Sequence, residues 1–277
     1  MSDSWDFIGV ESDGVPPQID TSVAHSARIY DYILGGKDNF EADRKAATAA
    51  IEANPSLPNA MRECRAVMRR MTAYLAQSGI RQFLDIGTGL PTSPNLHEIA
   101  QAADPSSRVV YVDNDPIVLA HARALLTSSR AGACAYIDAD ARDSSSILSN
   151  PRLRETLDLT QPVALMFFGI LHFIPDADDP YAVVKRLLDA LPPGSYLAIQ
   201  HPTADFYPPG VGGQAAYRGA GIPFQYRTKD QFARFLDGLE LVEPGITPMA
   251  QWHADDEPQP RPEPAQAAAY AAAARKA

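Results

Sequence analysis

Between Arg81 and Pro202 the sequence alternates apolar runs of strand length with segments of helical period, and few folds accept that order. The runs are RQFLDIG, RVVYVDND, CAYIDAD, PVALMFFGI and GSYLAIQHP. Helical patterns separate several of them, over Asn95–Ala103, through PIVLAHARALLTSS from Pro116, and over Ala182–Leu191. Strands alternating with helices point to a parallel sheet joined by right-handed crossovers. PVALMFFGI is apolar throughout, as a strand covered on both faces must be. Pro116 suits the first turn of a helix, where its missing N–H is no loss. The expected class is α/β, a mostly parallel sheet with helices on both faces.

The flanks read differently. Residues 1–20 are polar, carry prolines and have no period, so they form a lead-in. Residues 21–78 hold three helical patterns. Ser22 or Ser26 can cap ARIYDYIL, and Gly35-Gly36 can end it. Asp38 or Asn39 can cap EADRKAATAAIEA, and Asn59 opens MRECRAVMRRMTAYLAQ. Residues 79–253 form the α/β core. Within it, Pro202–Tyr226 is rich in Gly, Pro and aromatics and reads as a shaped loop. TKDQFARFLDG follows as a capped helix and LELVEPGITPMAQW as a hairpin of two strands. Residues 254–277 begin Pro-rich and end alanine-rich, a composition that predicts disorder with a short final helix.

Charge narrows the partners. Acidic residues exceed basic ones by 34 to 24, for a net charge of −10. A nucleic-acid partner would call for the opposite sign. The longest apolar run, Val163–Leu171, falls far short of a membrane span, and the acidic start lacks the pattern of a signal peptide. Cys64 and Cys134 match no zinc or redox spacing, and His25, His97, His121 and His253 are scattered, so no metal is expected. The expectation is a cytoplasmic protein with a small-molecule partner.

The densest chemical signal is Leu84-Asp85-Ile86-Gly87-Thr88-Gly89, a strand running into a glycine turn. Glycines allow close approach of a ligand, and a helix start after them would offer free N–H groups. Asp113 closes the next strand, where an acid can accept from both ribose hydroxyls, with Asn114 beside it. Asp140 closes the third, where its carboxylate can accept from an adenine amine while Ala141 N–H donates to the ring. These groups imply an adenosine cofactor. The dinucleotide pattern wants a third glycine where Thr92 stands, and Asp85 would repel a pyrophosphate yet suit the ammonium of a methionine moiety. S-adenosylmethionine fits better than a nicotinamide cofactor.

The run Asp85–Gly89, the acid Asp113, the pair Asp140-Ala141 and Gly169–Asp176 resemble successive motifs of class I methyltransferases. Ala27–Phe40, Gly79–Thr92 and Leu241–Gly245 are similar to one bacterial family, first described as a domain of unknown function and classed as S-adenosylmethionine-dependent methyltransferases. The resemblance covers nearly all of the chain from Thr21. It implies the Rossmann-like, seven-stranded methyltransferase fold and gives no substrate. Cys64 stands where relatives tend to have Asn, so a cofactor role for that position does not carry over. The ending Tyr270, Arg275, Lys276 also resembles the family's, which implies a docked tail.

The helices before the first strand are expected to form a lid over the carboxyl edge of the sheet. Tyr30, Lys37, Asn39 and Phe40 surround its Gly-Gly hinge, and Arg62 or Arg65 could pair with the methionine carboxylate. The alternative is a solvated helix face of Arg62, Arg65, Arg69 and Arg70. In-line methyl transfer needs alignment and exclusion of water, with a base only where the acceptor is protonated. His172 and His201, just beyond the fourth and fifth strands, are the candidate bases, and Tyr207 and Tyr217 could line an acceptor pocket. Two rival functions share the architecture: a nicotinamide-dependent reductase and a non-catalytic S-adenosylmethionine sensor.

Overall fold

A computed structural model describes residues 19–125, 128–207 and 212–277, with only the helical backbone for 122–125. The lead-in expected over 1–20 lies outside them except for Ile19 and Asp20, and so do Leu126 and Thr127 of the fifth helical pattern.

Three helices come first: α1 (Ser26–Ile33), α2 (Glu41–Ala53) and α3 (Leu57–Gln77). Then follow β1 (Gln82–Ile86), α4 (Leu96–Ala103), β2 (Arg108–Asp113), α5 (Pro116–Leu125) and β3 (Ala133–Asp138). Two short helices, α6 (Ser144–Ser149) and α7 (Pro151–Thr156), precede β4 (Ala164–Phe167), α8 (Pro180–Asp189) and β5 (Tyr196–Pro202). The remainder holds α9 (Gln214–Gly219), α10 (Lys229–Ala233), β6 (Glu240–Leu241), β7 (Thr247–Pro248) and β8 (Ala269–Arg275).

Strands β1 to β5 pair in parallel in the order β3-β2-β1-β4-β5. The order reverses between β1 and β4, which opens a crevice at their carboxyl ends. Alternate residues divide between two cores. Phe83, Val109 and Met166 face α3 and α4, while Leu84, Val110 and Leu165 face the opposite layer with Leu153 and Leu187. All six are fully buried, and each such side chain contributes roughly 1.5–3 kcal/mol. A third cluster joins Ile29, Ile33, Ala47 and Ala50 to Tyr217 and Phe224, so α1 and α2 pack on the segment after β5.

The carboxyl-terminal segment departs most from its composition. Ala269–Arg275 is a buried strand antiparallel to β5, in register from Tyr196↔Arg275 to Pro202↔Ala269. Alanine favours helix in isolation. Here Ala271 and Ala273 enter one core and Ala272 and Ala274 the other, where small side chains let both layers close on the sheet. Disorder and a final helix are thus replaced by a docked strand. Arg70 fixes the approach to it, donating from Nε to Trp252 O at 2.7 Å and from Nη2 to Met249 O at 2.7 Å. Arg70 therefore belongs to no solvated face. Lys276 Nζ caps α8, donating to Leu188 O at 3.0 Å and Leu191 O at 2.6 Å.

The expected terminal hairpin is also revised. β6 and β7 each pair with β8 and not with each other, giving eight strands where seven were expected. A single antiparallel neighbour already satisfies both short segments. α3 begins at Leu57, ahead of Asn59, and α1 is capped by His25. Among the described residues no helix is long and apolar enough to cross a membrane.

Candidate active site

The carboxyl ends of β1, β2, β3 and β4 open into one chamber of about 280 Å³, walled on its other side by α1, α3 and the segment after β5. Asp85, Gly87, Thr88, Gly89, Asp113, Asn114, Asp140 and Ala141 all line it. The glycine bend is dictated by sterics. Gly87 has φ +75°, and a Cβ there would lie 2.6 Å from the Ile170 side chain. That contact seats the segment after β4 against the bend. Gly89 has φ +68° and open space where a side chain would be.

The bend has no N–H to offer a phosphate. Gly87 N and Thr88 N donate to Val112 O at 2.8 and 3.2 Å, and Gly89 N donates to Asp113 Oδ2 at 2.7 Å. The helix that follows starts where the sequence placed it, yet its first N–H groups are not free as expected. α4 begins at Leu96, with the Asn95 N–H held by Glu98 at 2.5 Å and the His97 N–H by Tyr111 at 2.8 Å. A pyrophosphate would meet saturated donors and the Asp85 carboxylate.

Asp113 is fixed from both sides, since its Oδ1 accepts from Asp115 N at 3.0 Å. Each oxygen keeps a lone pair for a ligand hydroxyl. Burial raises its pKa, partly offset by these two backbone donors. Asp85 is 8% exposed. Burial pushes its carboxyl up to about 7, with Arg65 pulling it down and Asp113 up. Arg65 lines the chamber, and Nη2 donates to the carbonyls of Thr92 and Pro94. Among the described residues that nitrogen alone has hydrogen-bond acceptors, so the rest of the guanidinium is available. An available cation and an unsaturated acid side by side suit the carboxylate and ammonium of an amino acid.

Asp140 is more occupied than its position suggested. Oδ1 accepts from Arg142 N and Nε at 2.8 and 2.9 Å, and Oδ2 from Arg142 Nη2 at 2.6 Å. Sequence reading missed Arg142, although an arginine two residues beyond a turn acid is placed to fold back on it.

Several expected residues lie elsewhere. Arg62 is exposed on α3, and Lys37 is exposed in the turn after α1; neither lines the chamber. Asn39 is buried in that turn, donating to Asp31 Oδ2 at 2.8 Å and Gly36 O at 3.1 Å. Phe40 lies beneath Arg28, 5.6 Å away, outside the chamber. The Gly-Gly turn is thus a local knot. The lid that does wall the chamber comes from the cap residue His25, Tyr30 of α1, and Met61 and Cys64 of α3. Its latch is His25 Nδ1, 2.9 Å from Asp115 Oδ2, with Arg28 Nε at 3.3 Å from the same oxygen. Burial opposes charge on His25, but Asp115 outweighs it and raises the pKa.

His201 is also removed from the candidate bases. It is buried outside the chamber with both ring nitrogens engaged. Arg227 Nη1 donates to Nε2 at 2.7 Å, so Nδ1 carries the proton and donates to Pro202 O at 2.7 Å. Burial, then Arg227, holds its pKa down to about 3. Arg227, a residue the sequence did not flag, also donates to Leu171 O, Ile174 O and Asp176 Oδ1 at 3.0, 2.8 and 2.8 Å. It clamps the segment that carries His172. His172 does line the chamber, is 6% exposed, and its Nδ1 has no hydrogen-bond partner. Burial, His201 and Arg227 keep its pKa well below the ordinary value, so the ring is neutral. Tyr207 and Tyr217 line the same side.

A crevice at a topological switch point, with acids at successive strand ends and no phosphate cradle, defines a nucleoside-binding transferase of the methyltransferase class. The family model described as S-adenosyl methyltransferase matches residues 12–277, and the chain belongs to that family. It is an S-adenosylmethionine-dependent methyltransferase with S-adenosylmethionine as its cofactor. A DUF574 family protein from Streptomyces avermitilis is similar at 52% identity and TM-score 0.89, over 94% of this chain and all (100%) of that one. A protein from Thermobifida fusca, provisionally assigned as a methyltransferase, is similar at 40% identity and TM-score 0.84, over 96% and 99%. No match was found among curated proteins.

Proposed function

We propose that the chain transfers a methyl group to a small-molecule acceptor held in the half of the chamber walled by His172, Tyr207 and Tyr217. The observation that carries this is the continuity of one pocket from the strand-end acids to the neutral His172 ring. In this reading Asp113 accepts from the ribose hydroxyls, and the Asp140-Ala141 edge meets the adenine. Asp85 takes the ammonium and Arg65 the carboxylate of the methionine moiety. The cofactor supplies, when bound, a methyl group on a positively charged sulfur. The protein's contribution is to fix the acceptor in line, exclude water and receive a proton at His172. A cytoplasmic location is part of the same reading.

Calorimetric titration with S-adenosylhomocysteine, NAD and NADP tests it. Micromolar binding of the sulfur nucleoside alone is expected, and binding of a nicotinamide cofactor in its place would overturn the site assignment. His172→Gln should lower turnover by about 100-fold or more while leaving S-adenosylhomocysteine affinity unchanged. Unchanged turnover would remove His172 from the chemistry.

A further inference from the structure

The charged side chains that line the chamber, Arg65, Asp85, Asp113, Asp140 and Arg142, together with His25 on Asp115, all lie at the β1, β2 and β3 end. Beyond them the wall changes character. His172, Phe173, Phe224, Tyr217, Tyr226 and Tyr207 form a continuous run of rings. His172 is 4.7 Å from Phe224 by centroid, Tyr217 is 5.1 Å from Phe224, and Phe224 is 5.0 Å from Tyr226. Tyr207 closes the run at 6.4 Å from Tyr226. Its hydroxyl accepts from Asn54 Nδ2 at 2.9 Å and keeps its own proton to donate inward.

We propose that the acceptor is an uncharged planar aromatic compound with a phenolic hydroxyl, its ring clasped by Phe173, Tyr217 and Phe224 and its O–H turned to His172. The inference rests on the methyl-transfer reading above. An aliphatic amine enters as a cation and a carboxylic acid as an anion, and among the described residues this half of the chamber holds no lining acid, lysine or arginine to pair with either. Ring faces attract a cation, but contact with them alone does not offset burying an ammonium without a counter-charge, and they repel an anion. Neutral hydroxyls and aromatic amines remain. An aromatic amine attacks through its existing lone pair, whereas a phenol must lose a proton, which is the one service a neutral, unpartnered imidazole can give. The phenolic proton passes to His172 as the oxygen pair bonds to the methyl carbon. The carbon–sulfur pair returns to sulfur, leaving a methyl ether, S-adenosylhomocysteine and a proton that His172 releases to water.

The test is binding to the full chain in saturating S-adenosylhomocysteine, measured by calorimetry with four size-matched probes. These are naphthol, its saturated counterpart decahydronaphthol, naphthoate and naphthylmethylamine. Naphthol should bind about tenfold or more tighter than each of the other three, the ring contacts and the charge penalty each being worth at least that factor. Phe224→Leu should weaken naphthol about tenfold and leave S-adenosylhomocysteine binding unchanged, which also reports that the variant is folded. Equal or tighter binding of either charged probe, equal binding of the saturated alcohol, or no naphthol binding at millimolar concentration overturns the proposal. Failure of S-adenosylhomocysteine to bind would instead overturn the cofactor reading, and the probe series read without it still decides the acceptor class.

Discussion

The two halves of the chamber are built by opposite means. The half at β1 to β3 uses charge: Asp85 and Asp113 are buried with raised pKa values, Arg65 stands beside Asp85, and the backbone donors of the glycine bend are already taken. The half beyond β4 uses rings, and the arginines behind it, Arg227 and Arg218, are turned away to brace the wall. A polar group at a strand end serves a ligand only if the fold leaves it unsaturated. Asp113 keeps lone pairs free, while His201, three strands further along, has both nitrogens consumed.

The largest break of this contrast should come from Arg227→Leu. It strips donors from His201 and from the carbonyls of Leu171 and Ile174, and a buried acceptor left without a donor costs ~1–3 kcal/mol. We expect a loss of about 3 kcal/mol or more by urea unfolding; a loss near zero would show the clamp to be decorative. Asp113→Ala should act on the other half, weakening S-adenosylhomocysteine by roughly 1–3 kcal/mol and leaving naphthol binding unchanged. Equal loss of both ligands would dissolve the division between halves.

Asp85→Asn should have a smaller and oppositely signed effect on stability. The folded protein favours protonated Asp85 up to about pH 7, against an ordinary carboxyl near 3.8. Stability from this group is present at low pH and falls as pH rises from that ordinary value through 7. Above neutrality the variant should be more stable than the parent by about 1–2 kcal/mol. It should also lose the rise in cofactor affinity through pH 7 that is expected of the parent. The smallest effect belongs to the His25 latch. His25 has a raised pKa, so its contribution is full below the ordinary histidine value and disappears as pH rises through the folded one. Protection of the α1 amides, after correction for the intrinsic pH dependence of exchange, should fall as pH rises above the ordinary histidine value, and His25→Gln should abolish that fall.

Much of the charged half was legible because strand ends and turns are local. The glycine bend, Asp113 and Asp140 follow from where apolar runs stop. The aromatic half was less so. Tyr207 and Tyr217 could be named as loop aromatics, but nothing in their spacing joins Phe224 to His172, since that contact depends on how the segment after β5 packs on α1 and α2. His172 and His201 are indistinguishable by position, and only the reach of Arg227 separates them.

By itself the sequence determined the alternating core, the bend that only glycine tolerates, and the acids at three successive strand ends, because each depends on short-range sterics and hydrophobic period. Tertiary structure alone decided that an alanine run becomes β8, which buried groups remain unsaturated, and where charge gives way to aromatic rings. Those outcomes depend on what lies across the chain in space. Alanine yields its helical preference to two cores that must close on the sheet, and a histidine's chemistry goes to whichever donor reaches it first.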